Sequence, residues 1–302
     1  MRVRAGPSGI QMFDRATGLN VLFDEISVPP ALWATSPRYV SIALTNACDL
    51  ACSYCYAPKD AAALDVERVV GWLDELDRNG CLGVGFGGGE PTLHPGLAEI
   101  CRYATKNTGL AVTLTTHGHR FDDALRAALT GSIHFVRVSM DGVGPTYEAL
   151  RGRSFTVLRR RLETIRSLAR FGINYVVNAR TFPDLTAGVQ FAAEMGAAEF
   201  LLLPEQPTRN SCGIDSQTTR ALRQWVSLYS GMVPLSVSEV GADGLPTCDP
   251  LERETGLRAY AFIGASGTLK RSSFDVDGIP VGERGLMRAL DVLRISCREG
   301  QK

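Results

Sequence analysis

Eight cysteines are spread over 302 residues, and three of them fall in the run Thr45-Asn46-Ala47-Cys48-Asp49-Leu50-Ala51-Cys52-Ser53-Tyr54-Cys55-Tyr56. The spacing is C-x3-C-x2-C, with an aromatic residue just before the third cysteine. Three thiolates in one short loop can hold three irons of a cubane iron–sulfur cluster, leaving the fourth iron open to another ligand. A structural zinc site would show paired C-x2-C units, or one such unit with two distant histidines. No partner pair follows here. Crowding of the three cysteines and the lack of a signal-peptide pattern at the N-terminus argue against disulfides.

The elements that must hold this loop follow from periodicity. Tyr39–Leu44 is a compact apolar run ending at the loop. Asp65–Arg78 carries Val66, Val69, Val70, Leu73 and Leu76 on one helical face. Gly83–Phe86 is the next strand, followed by a glycine-rich turn and a helix over 96–106. The alternation continues with strands at 110–114, 134–139, 173–178 and 200–203, and helices at 122–129, 155–171 and 185–195. Strands alternating with helices predict βαβ units and a parallel sheet. Six units are too few for an eight-stranded barrel, so the expected class is α/β, a partial (β/α)6 barrel with a small C-terminal α+β extension. The expected divisions are an extension over 1–37 with one edge strand near 19–26, the barrel over 38–210, and a tail over 211–302. The tail predicts a helix at 218–230, a hairpin at 260–270 and a closing helix at 285–295.

Catalytic groups of β/α barrels sit at the C-terminal ends of the strands, and every polar motif here falls at one. Gly87-Gly88-Gly89-Glu90 ends the second strand. Its glycines let the backbone approach a neighbour closely, and its carboxylate can accept from an ammonium group. A plain strand-to-helix turn is the alternative. Thr115-Thr116-His117-Gly118 ends the third strand, where His117 is either a ligand contact or a solvated turn residue. Ser139-Met140-Asp141-Gly142 ends the fourth. A hydroxyl and a carboxylate there suit sugar hydroxyls, or form an Asp-Gly turn. Arg151-Gly152 is either a site cation or a surface arginine at a helix break. Asn178 and Arg180 end the fifth strand, and Leu203-Pro204-Glu205-Gln206-Pro207 ends the sixth.

The cysteine loop, the glycine-rich Glu90 turn, the S-x-D-G run and the Arg-Gly pair together resemble the radical S-adenosylmethionine (SAM) superfamily. The resemblance implies one 4Fe–4S cluster on Cys48, Cys52 and Cys55, with SAM chelating the open iron. It implies SAM-site roles for Tyr54, Gly88, Gly89, Glu90, Thr116, Ser139, Asp141, Arg151 and Asn178. One electron from the cluster would cleave SAM to a 5′-deoxyadenosyl radical; such chemistry belongs to the cofactor, and the protein supplies binding and orientation.

The 260–270 hairpin and closing helix resemble a SPASM domain, whose auxiliary clusters need about seven cysteines, as that resemblance implies. Only Cys212, Cys248 and Cys297 are present, and Ser272-Ser273 stands near where a cysteine is expected. One cluster in all is therefore the expectation. Cys81 and Cys101 read as buried thiols.

Lysine plus arginine equals aspartate plus glutamate, 32 each, which argues against a general nucleic-acid binder. No run reaches the ~18 apolar residues of a membrane span, and unpaired thiols point to the cytoplasm. The resemblance implies modification of a ribosomally made precursor peptide. The opening Thr17-Gly18-Leu19-Asn20-Val21-Leu22-Phe23-Asp24-Glu25 resembles the splicease group, which excises a tyrosine-derived tyramine unit and leaves an α-keto-β-amino acid. Cross-linking, epimerisation, or radical chemistry on a small-molecule precursor are the alternatives. An electron donor is required. A 37-residue extension is too short to fold as a leader-recognition domain, so a separate small protein is expected to pair the leader onto a sheet edge.

Overall fold

The computed structural model describes residues 1–208, 210–238, 241–247 and 251–299. Its first element is a three-stranded antiparallel sheet, β1 (Arg2–Gly6), β2 (Gly9–Phe13) and β3 (Asn20–Phe23). Sequence reading expected one strand here. It missed the first two because a Pro7-Ser8 turn, rather than an Asn-Gly or Asp-Gly pair, joins Gly6 to Gly9. Gly9 has φ +116°, and a Cβ there would lie 2.2 Å from the Phe23 carbonyl oxygen, so glycine is needed for β3 to pack.

The expected strand–helix alternation follows: β4 (Tyr39–Thr45), α1 (Val66–Arg78), β5 (Gly83–Gly88), α2 (Leu97–Asn107), β6 (Ala111–Thr116), α3 (Asp123–Leu129), β7 (Phe135–Ser139), α4 (Pro145–Arg151), α5 (Phe155–Leu168), β8 (Arg170–Val177), α6 (Leu185–Met195) and β9 (Phe200–Pro204). Helix α1 starts at Asp65, whose side chain accepts from the backbone N–H groups of Glu67 and Arg68. It buries Val69, Trp72, Leu73 and Leu76. Helix α5 stops at Leu168, three residues short of the expected end, because Phe171 is claimed by the sheet and buried there. Helix α4 was not foreseen; Pro145 at its first turn starts it and Gly152, at φ +64°, ends it.

The tail supplies α7 (Ser216–Leu228), β10 (Leu235–Val237), β11 (Tyr260–Ile263), β12 (Thr268–Lys270), β13 (Ile279–Pro280) and α8 (Leu286–Glu299). It is woven into the barrel sheet. The strand order is β10-β9-β8-β7-β6-β5-β4-β11-β12-β13. Strands β10 and β11 pair in parallel with β9 and β4, so each edge of the six-stranded core gains one strand. The hairpin partners β12 and β13 then run antiparallel. Among the described residues the two ends of the sheet do not pair with each other, and the barrel is open there.

Alternation along the strands separates two surfaces. Val40, Ile42, Leu44, Val84, Phe86, Val112, Leu114, Val136, Val138, Ile173 and Val177 are buried beneath the helices in one core. The opposite face carries Ser41, Gly85, Gly87, Thr113, Thr115, Arg137, Ser139 and Asn174, and it lines the lumen. A Cβ on Gly87 would meet nothing nearer than Thr115 at 3.8 Å, so this strand end leaves room for a ligand.

Candidate functional site

The cysteine loop leaves β4 at the barrel mouth. Cys48, Cys52 and Cys55 are free and half-buried. Each sulfur accepts from one donor: Cys48 from the Leu50 N–H at 3.4 Å, Cys52 from Arg151 Nη1 at 3.7 Å, and Cys55 from Lys59 Nζ at 3.6 Å. Burial raises the Cys48 thiol pKa above its ordinary value. Among the described residues no three of His, Cys, Asp and Glu converge on one ion-sized point. A cubane asks for something else, three separate thiolates on three separate irons, and three sulfurs with a donor each suit that arrangement.

The glycines of the Glu90 turn approach this loop's backbone. A Cβ on Gly88, at φ +127°, would lie 2.2 Å from the Thr45 carbonyl oxygen, and one on Gly89 would lie 2.2 Å from that of Ala47. The N–H groups of Gly89 and Glu90 donate to the carbonyls of Thr45 and Ala47 at 2.7 and 2.8 Å. The turn therefore clamps the cysteine loop. The Glu90 side chain is 1% exposed. Its Oε1 accepts from Thr92 Oγ1 and Thr116 Oγ1, both at 2.7 Å, and its Oε2 from the His117 N–H at 2.9 Å.

His117 is not a solvated turn residue, since it is 4% exposed. Its Nδ1 accepts from the His119 N–H at 3.1 Å, so the neutral ring carries its proton on Nε2, which donates to Asp49 Oδ1 at 2.8 Å. Burial alone would raise the Asp49 pKa, but the hydrogen bond from His117 holds it below the usual carboxylate range. His119 bonds Tyr147 Oη at 2.7 Å, and burial, with His117 nearby, lowers its pKa to about 4.

Asp141 forms the second node and is fully buried. Its Oδ1 accepts from the Val176 N–H at 2.6 Å. Its Oδ2 accepts from Tyr54 Oη at 2.6 Å and from Arg151 Nη2. Arg151 is thus no surface residue at a helix break. It spans Asp141 and the Cys52 sulfur and stacks over the Tyr54 ring at 5.8 Å. Burial would lower the Arg151 pKa, but Asp141 overrides it and the guanidinium pKa is raised. Burial, then the Asp141 charge, raises the Tyr54 pKa, so Tyr54 is the donor in that bond.

Asn178 belongs to a third group, donating through Nδ2 to Glu205 Oε2 at 2.7 Å; Ser211 Oγ bonds Glu205 Oε1. Ser139 lies on the lumen face, in register with Asn174. Sequence reading did not single out Asn174 or Asp49. Asn174 had one signal, an amide in the middle of the apolar run 173–177. Two buried polar atoms there, Arg151 Nε and Asn174 Oδ1, have no partner in the protein among the described residues. An orphaned donor beside the cysteine loop and an orphaned acceptor in the lumen wall fit a polar ligand held at the mouth.

The remaining thiols differ. Cys81 and Cys101 are fully buried, as expected, and burial raises the Cys81 pKa to about 11. Cys212 is exposed, and Cys297 packs on the core from α8. Cys248 lies outside the described residues.

Residues 42–187 match the model of the radical SAM superfamily. The mycofactocin maturase MftC of Mycobacterium tuberculosis is 28% identical over 239 residues, 76% of this chain and 60% of that protein. The GTP 3′,8-cyclase of Chlorobaculum tepidum is 36% identical over 127 residues, 41% of this chain and 36% of that protein. The chain thus spans less than two thirds of either relative. Among solved structures, Streptococcus suis SuiB bound to S-adenosylmethionine superposes with a TM-score of 0.70 at 13% identity, covering 90% of this chain and 81% of that one. SuiB bound to its precursor peptide SuiA gives 0.71 at 16% identity, covering 85% and 65%. These structures share the α/β fold.

Proposed function

We propose that this chain, which belongs to the radical SAM superfamily through residues 42–187, modifies a ribosomally made precursor peptide. A bound 4Fe–4S cluster would supply the one-electron reduction that cleaves SAM to start radical chemistry. Cys48, Cys52 and Cys55 would hold the cluster. The Glu90 turn fixes the loop that carries them, and Arg151 places a positive charge beside Cys52. The lumen face, with Gly87, Ser139 and Asn174, would receive SAM and keep water from the radical.

The observation that carries the peptide reading is the open barrel edge. Among the described residues the sheet does not close between β10 and β13, so an extended chain can enter from the side. MftC, a maturase, aligns over 76% of this chain, whereas the match to the GTP cyclase covers 41%. We place the reaction beside the maturases for that reason. The splicease reading rests on the run 17–25 and the cysteine-poor tail. A separate leader-recognition protein completes the proposal.

The test combines reconstituted enzyme, SAM, reductant and the precursor encoded nearby, with and without the neighbouring small protein. Loss of a tyramine unit in the peptide mass identifies splicing, loss of two hydrogens cross-linking, and unchanged mass in H2O with a gain of one deuterium in D2O epimerisation. Modification should need the small protein and should vanish in the Cys48→Ala/Cys52→Ala/Cys55→Ala variant. Peptide left intact under all conditions, with 5′-deoxyadenosine produced only when a small-molecule substrate is supplied, would overturn the reading.

A further inference from the structure

We propose that the outer face around the first half of α5 docks an acidic one-electron carrier protein that reduces the cluster, an inference that rests on the function proposed above. The chain is neutral overall, yet residues 151–170 hold seven arginines and one acidic residue. Arg159 and Arg160 are exposed and Arg161 is half-buried. None of these three pairs with a carboxylate among the described residues. Unpaired like charges on one helix cost self-repulsion, and they raise a local positive potential that steers an anionic partner.

This face leads to the cysteine loop. A cavity of about 610 Å³ opens beside α5, lined in part by Asp49, Arg120, Arg153 and Arg161. Asp49 follows Cys48 directly. Arg153 Nη2 donates to the Asp49 carbonyl at 3.1 Å and to its carboxylate at 3.2 Å. Arg151, two residues earlier, reaches the Cys52 sulfur. A carboxylate knob entering the cavity would therefore sit against the wall of the cysteine loop. Electron transfer weakens steeply with distance, so that placement matters. The precursor has less use for this surface, because α5 covers the outer side of the sheet while the radical forms in the lumen. In the step itself, the carrier is oxidised by one electron and the cluster is reduced by one; no bond or proton changes hands at the protein.

The experiment uses the cluster-loaded enzyme with Arg160→Glu/Arg161→Glu and the milder Arg160→Ala/Arg161→Ala. Reduced flavodoxin is the probe and dithionite the control. Calorimetry reads the affinity for flavodoxin, and bleaching of the visible absorption reads the reduction rate. Charge reversal should lower affinity and the flavodoxin rate about tenfold or more at low salt and flatten their salt dependence. The alanine pair should lower both by less, with dithionite reduction unchanged throughout. Flavodoxin values within about twofold of wild type in both variants, with an unchanged salt slope, would overturn the proposal. So would intact flavodoxin binding with weakened precursor binding, which would assign the face to an acidic peptide. Wild-type enzyme without dithionite-reducible absorption would instead remove the cluster reading, and this proposal with it.

Discussion

Two buried arginines mark the two ends of the barrel. Arg4 sits at the end where strands begin. Its guanidinium donates to the carbonyls of Gly80 at 2.8 Å, Ser36 at 3.1 Å and Arg258 at 3.4 Å, each just before a strand. It pairs with buried Glu254 at 3.5 Å, which also meets Arg38. Arg151 sits where strands end, between Asp141 and the Cys52 sulfur. Arg4 spends its donors on backbone and a tail carboxylate, so it ties the N-terminal sheet, the barrel and the tail together. Arg151 instead turns one nitrogen to a sulfur of the cysteine loop. The same residue type is closed structure at one end and open chemistry at the other, the division of labour seen in β/α barrels.

The strongest way to break this comparison is to remove one carboxylate at each end. Asp141→Asn leaves the buried Arg151 charge uncompensated, which costs about 3–5 kcal/mol. It should also disturb the visible spectrum of the reconstituted cluster, because Arg151 would lose its anchor beside Cys52. Glu254→Gln should cost a similar amount, about 3–5 kcal/mol, with spectrum and SAM affinity unchanged. Thermal unfolding and SAM titration check both. If Glu254→Gln changed SAM affinity as much as Asp141→Asn does, the two ends would not be separate.

The sequence made the mouth legible and left the base obscure, for a physical reason. Cys48, Cys52, Cys55 and Glu90 lie within 43 residues, so their grouping shows as local spacing. The strand–helix alternation is equally local. Arg4 and Glu254 are 250 residues apart, and no local pattern links them. Strands β10 and β11 escaped as barrel members because joining a sheet edge is a non-local event. At the mouth, the glycines beside Glu90 were legible as a close approach. Its target was not, since nothing in the sequence says that Thr45 and Ala47 lie opposite.

A smaller effect sharpens the picture inside the mouth. The Glu90 carboxylate is satisfied by Thr92, Thr116 and His117, so any hold on SAM is shared with donors at the end of β6 and in its own turn. Glu90→Gln keeps the shape and loses the charge. It should weaken SAM by about 1.5–3 kcal/mol, roughly tenfold to a hundredfold, with four irons per chain retained. SAM affinity unchanged in a variant with intact iron content would confine the Glu90 carboxylate to its bonds with Thr92, Thr116 and His117. In the tail, Cys297→Ala should leave the iron count at about four.

The smallest expected effect comes from pH, and it also divides the molecule. All four histidines, His94, His117, His119 and His134, lie in the first half of the chain. Burial depresses the pKa of His119 to about 4 and also lowers that of His134. A histidine whose pKa is lowered on folding binds fewer protons folded than unfolded. Its stabilisation is therefore present above the ordinary value of 6.5 and is lost as pH falls through the folded value. Asp49, whose pKa is also lowered, adds loss of the same sign only below the ordinary 3.8. Between pH 6.5 and 4 the loss comes from the histidines, before Asp49 contributes. Solvent screening at the half-buried His119 reduces the effect to about 1 kcal/mol, or about 2 °C in Tm. His119→Phe should shrink the drop in Tm between pH 7 and pH 5. An equal drop in the variant would show that His119 does not carry the acid sensitivity and that its bond to Tyr147 leaves the folded protein free to accept the proton.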